Sequence, residues 1–459
     1  MPQPGPDLTK SQLFLDDTWI EDQAMLTRVW HAAGIYPEPV LRPEMSWEGT
    51  TLAMYGTVLR MGDLWRMYYG TTNPNEEPLV CVAESTDGLH WIRPVLDIHE
   101  YEGSTANNIV RRNVVCPSVY WDPQDEEAPF RSMVYRPGPT GGKAGGLYGA
   151  VSDDGYHWTE LNELLIPKPP TGDVHYLWSS RVGGKYVVTH KTRTIALERA
   201  MRTVAITESS DFRSFEESQL IIKSDLNDPA DVQYHGMVGF PYGDMYLGLA
   251  ERWFGSPSHI ELLLVWSHDR VNWHLPQTRQ PFIGPTHYWN QGWSTCSTQG
   301  PIRVGNQLRF YFGGQSGCHI HVKEGPRKVG VVGFAEITID RFASITAGYM
   351  DGQLITRPMV WPGGDLILNA STTRFPDEDP RLKGGEMSIE VWGGNGHPIE
   401  GYCGDRRAPF TENTPSRGDV DAATIRWPDD RSMNELAGRE IRLVFYMRDS
   451  HLYSFRSSG

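Results

Sequence analysis

Cysteine is scarce in this chain of 459 residues. The five that occur, Cys81, Cys116, Cys296, Cys318 and Cys403, are scattered, odd in number and free of CxxC spacing. That pattern signals neither a disulfide framework nor a thiolate zinc site. Positive charge is in deficit: 42 Lys and Arg stand against 57 Asp and Glu, a formal net charge of −15. Such a chain repels nucleic acid and anionic membrane, so neither is expected as a partner. No apolar run reaches the roughly 20 residues that cross a bilayer. The opening MPQPGPDLTKSQLFLDD lacks a basic segment followed by an apolar core, so the expected location is cytoplasmic.

The composition that remains is globular, 39% hydrophobic and 22% charged. Its length exceeds one ordinary core and predicts two domains. Sixteen Trp and 20 Tyr are more than packing usually requires, which points to stacking between sheets or onto a flat ligand.

The stretch from Gly236 to Trp273 is the unit that the chain repeats. Two apolar runs flank the turn Tyr242-Gly243-Asp244, a third run spans Glu261 to Ser267, and a polar turn then delivers Trp273. This reads as one four-stranded antiparallel sheet. Its closing element recurs at Ser85 to Trp91, Ser152 to Trp158 and Ser209 to Phe215, with steps of 67, 57 and 58 residues. Its opening hairpin recurs at Met61-Gly62-Asp63, Gly183-Gly184-Lys185 and Val304-Gly305-Asn306, while Asp122 to Pro129 takes that place in the second repeat. A fixed period with four strands per unit predicts blades around an axis.

The expected fold is therefore all-β, a five-bladed β-propeller over residues 1–347 followed by a C-terminal β-sandwich over 348–459. The strand Gln12 to Ile20 is expected to complete the last blade and cover its edge. Blades are expected at about Leu52 to Trp91, Cys116 to Trp158, Trp178 to Phe215 and Gly236 to Trp273, with a fifth opening at Thr298. Long connections at 92–115, 159–177, 216–235 and 274–297 lead into the innermost strands, and loops of that length are usually functional. Beyond Ala347 the repeat stops. Strands such as Asp365 to Asn369, Met387 to Trp392, Ile441 to Met447 and Leu452 to Phe455 suggest the sandwich, read as structural or oligomeric, which leaves a homo-oligomer open.

The opening segment Pro39-Val40-Leu41-Arg42-Pro43, followed by Trp47-Glu48, resembles that of glycoside hydrolase family 130. The whole arrangement resembles the five-bladed propeller glycosidases of families 32, 43 and 130, with a C-terminal sandwich as in family 32. The resemblance implies a carbohydrate-active enzyme with its site in the axial funnel. It implies no obligatory cofactor, although an axial calcium ion is known among family 43 relatives. One departure is plain. The positions aligned with those families' carboxylates hold Tyr55, Cys116, Tyr176, His235 and Thr298, so the family's catalytic residues do not carry over one by one.

Glycoside hydrolysis requires two carboxyl groups. The acids expected at the mouth are Asp231 and Asp173 as the acid/base pair, with Glu48 fixing a sugar hydroxyl. Substrate contacts are expected from His175, Tyr234, His235, Glu251, Arg252, Trp289, Asn290 and His319. Trp stacks on the apolar face of a sugar and Asn bonds its hydroxyls, and one of Trp289 and Trp293 is expected to line the site. The bases His175, His190, Lys191, Arg193, His235 and Arg252 suggest an anionic sugar. They allow a uronate lyase in which His235 is the base, Tyr234 or Tyr176 serves the leaving oxygen and Arg252 neutralises the acid group. They also allow phosphorolysis served by His190, Lys191 and Arg193. A third reading is a non-catalytic carbohydrate-binding propeller. Cys318-His319-Ile320-His321 places two imidazoles on one strand face, but no third ligand follows from spacing, and no metal is expected there.

Overall fold

The computed structural model describes residues 6–136, 145–167, 171–196, 199–256, 258–318, 329–372, 385–410 and 419–459. Over these residues the regular structure is β-strand, interrupted by short 3-10 turns. The chain forms two compact units. One comprises residues 33–304 and 308–336, the other residues 1–32, 305–307 and 337–459.

The larger unit holds the repeats. A first sheet contains Leu52–Met61, Leu64–Thr72, Pro78–Ser85 and Ile109–Arg112, in that order. A second contains Val115–Trp121, Phe130–Arg136, Gly146–Ser152 and Thr159–Pro167. A third contains His175–Leu177, Tyr186–Ala196, Arg199–Ser209 and Gln219–Ile222. Val232–Tyr242, Met245–Phe254, His259–Ser267 and Trp273–His274 follow as a fourth. It is joined through one parallel pair, Ile260 with Trp293, to Trp293–Cys296, Gln307–Gln315 and Gly330–Thr338. All pairing within the five groups is antiparallel. The inner strands open earlier than the sequence suggests, at Val115, His175, Val232 and Trp293.

One polar turn closes four of the sheets. In each, an Asp carboxylate oxygen accepts the backbone N–H groups two and three residues on: Leu89 and His90 on Asp87, Tyr156 and His157 on Asp154, Arg213 and Ser214 on Asp211, Val271 and Asn272 on Asp269. The residue after each Asp is left-handed, with φ of 71° at Gly88, 76° at Gly155, 60° at Phe212 and 71° at Arg270. An Asx-type turn stabilises that conformation even where glycine is missing. The turns also dock on a neighbouring sheet. Tyr68 donates to Gly155 O at 3.0 Å, and Tyr311 to Gly88 O at 2.5 Å.

Apolar side chains fill the spaces between sheets. Tyr68, Val80, Val119 and Val134 lie between the first and second, and Trp65, Tyr69, Tyr311 and Phe334 between the first and fifth. Hydrogen bonds tie neighbours together: Val119 N to Thr57 Oγ1 at 2.8 Å, Ser118 Oγ to His175 O at 3.3 Å, Thr189 Oγ1 to Met237 O, Cys296 Sγ to Leu249 O at 3.3 Å, and Thr298 N to Gly56 O at 2.8 Å.

The strand expected to complete the last blade does not do so. Gln12 and Leu13 pair with Phe455 and Ser454 in the other unit. The edge of Gly330–Thr338 is covered by Gly34–Ile35 instead, through Ala335 with Ile35 and Glu336 with Gly34. The reason is burial. Phe14 and Trp19 are apolar anchors of the smaller unit's core, and the strands beside them follow.

That smaller unit has two sheets around one core. The first orders Leu26–Trp30, Ala343–Ala347, Ser450–Ser457, Leu366–Ser371 and Asp419–Thr424, and the second orders Ile20–Ala24, Gly352–Thr356, Glu440–Arg448, Glu386–Gly393 and Ala408–Pro409. Phe14, Trp361, Leu368, Ile389, Phe445 and Phe455 meet between them, all buried.

Candidate active site

Three inner strands break their ladders at the same end. In the first sheet Met54, Tyr55 and Gly56 together face a single residue of the next strand, Tyr69. In the second, Cys116 and Pro117 face Val134 alone. In the fourth, His235 is inserted between Tyr234 and Gly236, which pair with adjacent residues of the next strand. A bulge re-aims a side chain that the two-residue period would otherwise send sideways. Cys116 is also left-handed, at φ 56°, a strained conformation for a residue with a side chain and one that concentrates at functional sites.

These side chains converge. The Tyr55 ring lies 6.5 Å from that of His235, and His235 meets Trp293 edge-on at 5.5 Å. Asp173, at the approach to the third sheet, forms an ion pair with Lys191. Desolvation by its surroundings works to raise the carboxyl of Asp173, whose side chain is still 53% exposed, but the Lys191 ammonium outweighs it, aided by His235, and holds the group well below the usual carboxylate range. Burial pushes the thiol of Cys116 far up, with Asp173 adding to the effect, so it is a neutral thiol here and no nucleophile.

Glu251, near the end of the second strand of the fourth sheet, is fully buried. Tyr176 donates to its Oε1 at 2.5 Å and Cys296 N donates to the same atom at 3.0 Å. Its Oε2 is buried with no hydrogen-bond partner among the described residues. Burial raises its pKa to about 7 against the opposing hydrogen bonds, and the charge of Asp173 acts in the same upward direction. Gly236 makes room for it, since a Cβ there would stand 2.9 Å from Oε2 and 2.7 Å from the Tyr176 ring. The site thus carries two carboxyls whose surroundings force them apart, one ionised and one holding its proton near neutrality. Such a division of states is what an acid and a base within one site require.

Asp173, His235 and Glu251 are brought together, with Lys191, Tyr55, Tyr176 and Trp293 around them. Trp293 is the member of its pair that lies here.

The other expected residues have different tasks. Glu48 is buried and saturated. It accepts from Tyr69 at 2.6 Å, from Arg93 at 2.7 and 3.0 Å, and from the N–H groups of Glu44 and Met45 at 2.8 and 3.1 Å, so no lone pair is left for a sugar hydroxyl. Asp231 is exposed and caps the following hairpin, accepting Ser256 N at 3.0 Å. His175 is buried, contacts Met133 O at 3.1 Å and is held by burial at a pKa of about 4. Tyr234 donates to Asp228 at 3.1 Å, which also pairs with Arg279. Arg252 is held by Glu261 at 2.8 Å. Trp289 stacks on Phe312 at 5.1 Å and donates to Pro37 O at 3.0 Å. Asn290 spends its amide within its own loop, accepting His287 N at 2.9 Å and donating to Gly284 O at 2.9 Å. His319 and His321 lie outside the described residues. Among the described residues no cluster of His, Cys, Asp and Glu suits a metal ion.

No family model and no curated protein matches the chain. Similar solved structures include an N-acetylgalactosamine deacetylase from F. plautii, 15% identical, with a TM-score of 0.47, covering 70% of this chain and 97% of its own. The β-1,2-mannobiose phosphorylase of Listeria innocua is 12% identical, with a TM-score of 0.48, covering 68% and 97%. A thermostable family-43 glycoside hydrolase is 11% identical, with a TM-score of 0.47, covering 65% and 93%.

Proposed function

We propose that this protein is a glycoside hydrolase in which Glu251 is the general acid and Asp173 the base or nucleophile, set at the axial mouth of a closed five-bladed β-propeller. The single observation that carries the reading is the split between the two carboxyls. Lys191 keeps Asp173 ionised, while burial keeps Glu251 protonated up to about 7. Hydrolysis of a glycosidic bond needs both states at once: a proton for the leaving oxygen, and a carboxylate to attack or to activate water. Closure of the ring is supported by Thr298 N on Gly56 O and by Tyr311 on the Gly88 turn, which tie the fifth group of strands to the first sheet.

In this reading His235 and Trp293 form the wall against which the sugar lies, and Tyr176 orients the Glu251 carboxyl. Arg252, which a lyase would need for charge neutralisation, is engaged by Glu261, and this favours hydrolysis. A screen of aryl-glycosides and oligosaccharides, run with and without phosphate, should find a substrate. On that substrate Glu251→Gln and Asp173→Asn should each lower kcat by about a hundredfold or more. Normal turnover in both variants rejects the assignment.

A further inference from the structure

Most arginines in the larger unit are neutralised. Arg66 pairs with Glu84, Arg111 with Glu160, Arg252 with Glu261, Arg279 with Asp225 and Asp228, and Arg309 with Glu336. Arg193 and Arg202 break that rule. They face each other directly across the hairpin of the third sheet, where like charges are destabilising. Neither has an acidic partner among the described residues. Arg202 sits over Trp253, its Cζ 3.8 Å from the ring centroid, and its Nε is buried with no hydrogen-bond partner among the described residues. The nearby carboxylate, Asp173, is taken by Lys191. Burial and the facing Arg193 lower the Arg202 pKa, while Asp173 and Tyr55 act to raise it, which places the guanidinium within the field of the site centre. Arg193 is exposed. The strand period sets Lys191 and Arg193 on one face, with Arg202 opposite Arg193.

A chain with a net charge of −15 holds two opposed guanidinium groups on one hairpin, one of them half-buried against Trp253. Among the described residues no carboxylate fills this pair, and an oxyanion would, because a guanidinium fork matches carboxylate or sulfate oxygens in pairs. We propose that Arg193 and Arg202 form a receptor for an anionic substituent of the sugar, a uronate carboxylate or a sulfate ester, so that the substrate class is an acidic glycan. The proposal rests on the sugar-processing reading of Asp173 and Glu251, but its test is binding rather than turnover.

Calorimetric titration of the full chain with matched pairs would decide it: methyl glucuronide against methyl glucoside, methyl galacturonide against methyl galactoside, and glucose 6-sulfate against glucose. One charged member should bind at least about tenfold more tightly than its neutral partner, in keeping with charge-assisted hydrogen bonds. The uronide and sulfate arms separate the two sources of charge. That preference should fall at least tenfold in the Arg193→Gln/Arg202→Gln double variant and survive in part in Arg202→Lys. Arg193→Gln alone alters an exposed side chain and keeps the test open should the double variant fold poorly. Equal affinity within every pair, or a preference that the double variant retains, overturns the receptor. Turnover that requires added inorganic phosphate and yields a sugar phosphate would assign the oxyanion site to a co-substrate, and that also overturns it. Normal turnover in Glu251→Gln and Asp173→Asn with the charge preference intact would reject the assignment of those two acids and leave the receptor standing.

Discussion

Glu251 shows how far one side chain's role depends on its surroundings. In the sequence Glu251 stands at the end of a strand beside Arg252 and is expected only to contact substrate. In the fold Arg252 turns to Glu261, and Glu251 is left buried against Tyr176 and Gly236. If Glu251 supplies the proton, kcat/KM should fall as pH rises through about 7, and that basic limb should vanish in Glu251→Gln; a limb that persists in the variant belongs to another group. Gly236→Ala puts a methyl group against Oε2 and the Tyr176 ring. It should cost turnover more than tenfold while the far-ultraviolet circular dichroism stays unchanged, and wild-type turnover would show that the gap beside Oε2 is unused. Asp173 and His235 were legible because each stands just before or within an inner strand. Glu48 misled because a buried carboxylate with five donors looks, in one dimension, like an available one.

The element that repeats is a sheet closed by a Ser-x-Asp turn, and its spacing is visible without coordinates. Side chains two and three residues apart make that turn, so local chemistry is enough to write it. Gly155 tests how tightly the turn is seated. At φ 76°, a Cβ there would lie 2.4 Å from the Tyr68 hydroxyl and 2.6 Å from an Arg66 nitrogen. Gly155→Ala should lower stability by about 2–3 kcal/mol, from backbone strain plus the clash. Gly62→Ala has a similar φ of 67° but open space around it, and should cost about 1 kcal/mol. Equal losses on thermal or urea unfolding would mean that docking on Tyr68 contributes nothing. The bulges that aim Tyr55, Cys116 and His235 were not legible. An inserted residue shows only against the partner strand's count, and that count depends on register.

Across the whole molecule, buried titratable groups set how stability responds to pH. His175 and His190 are both held near 4 by burial, and His31 is lowered to about 4 by the same cause together with His451 and Arg341. The unfolded chain takes up these protons near 6.5, before the folded protein can. Stability is therefore lost as pH falls from about 6.5 toward 4, by roughly 3 kcal/mol for each of the two fully buried imidazoles. Glu251 works the other way. Its raised pKa favours the folded state at low pH, and that contribution fades as pH climbs from 4.5 toward 7. The three histidines outnumber it, so the melting temperature should drop on acidification below 6.5, and more steeply in Glu251→Gln. A flat melting temperature from pH 6.5 to 4.5 would contradict the buried neutral imidazoles. The smaller unit adds a prediction of its own. Phe14 is fully buried between its sheets, and Phe14→Ala should cost about 3–5 kcal/mol, measured as an earlier unfolding transition. A cost below 1 kcal/mol would mean that the N-terminal strands only decorate that unit.

The sequence alone determined the repeat, the all-β character and the strands at 365–369, 387–392, 441–447 and 452–455, because each follows from residues close together along the chain. It also placed Asp173 and His235 near the converging strand starts. Tertiary structure alone decided where the first 32 residues belong, which acids are spent in ion pairs, that Glu251 rather than Asp231 or Glu48 feels the charge of Asp173, and that Arg193 and Arg202 face each other. Those outcomes depend on burial and charge between residues tens to hundreds of positions apart, and desolvation has no counterpart in the order of the letters.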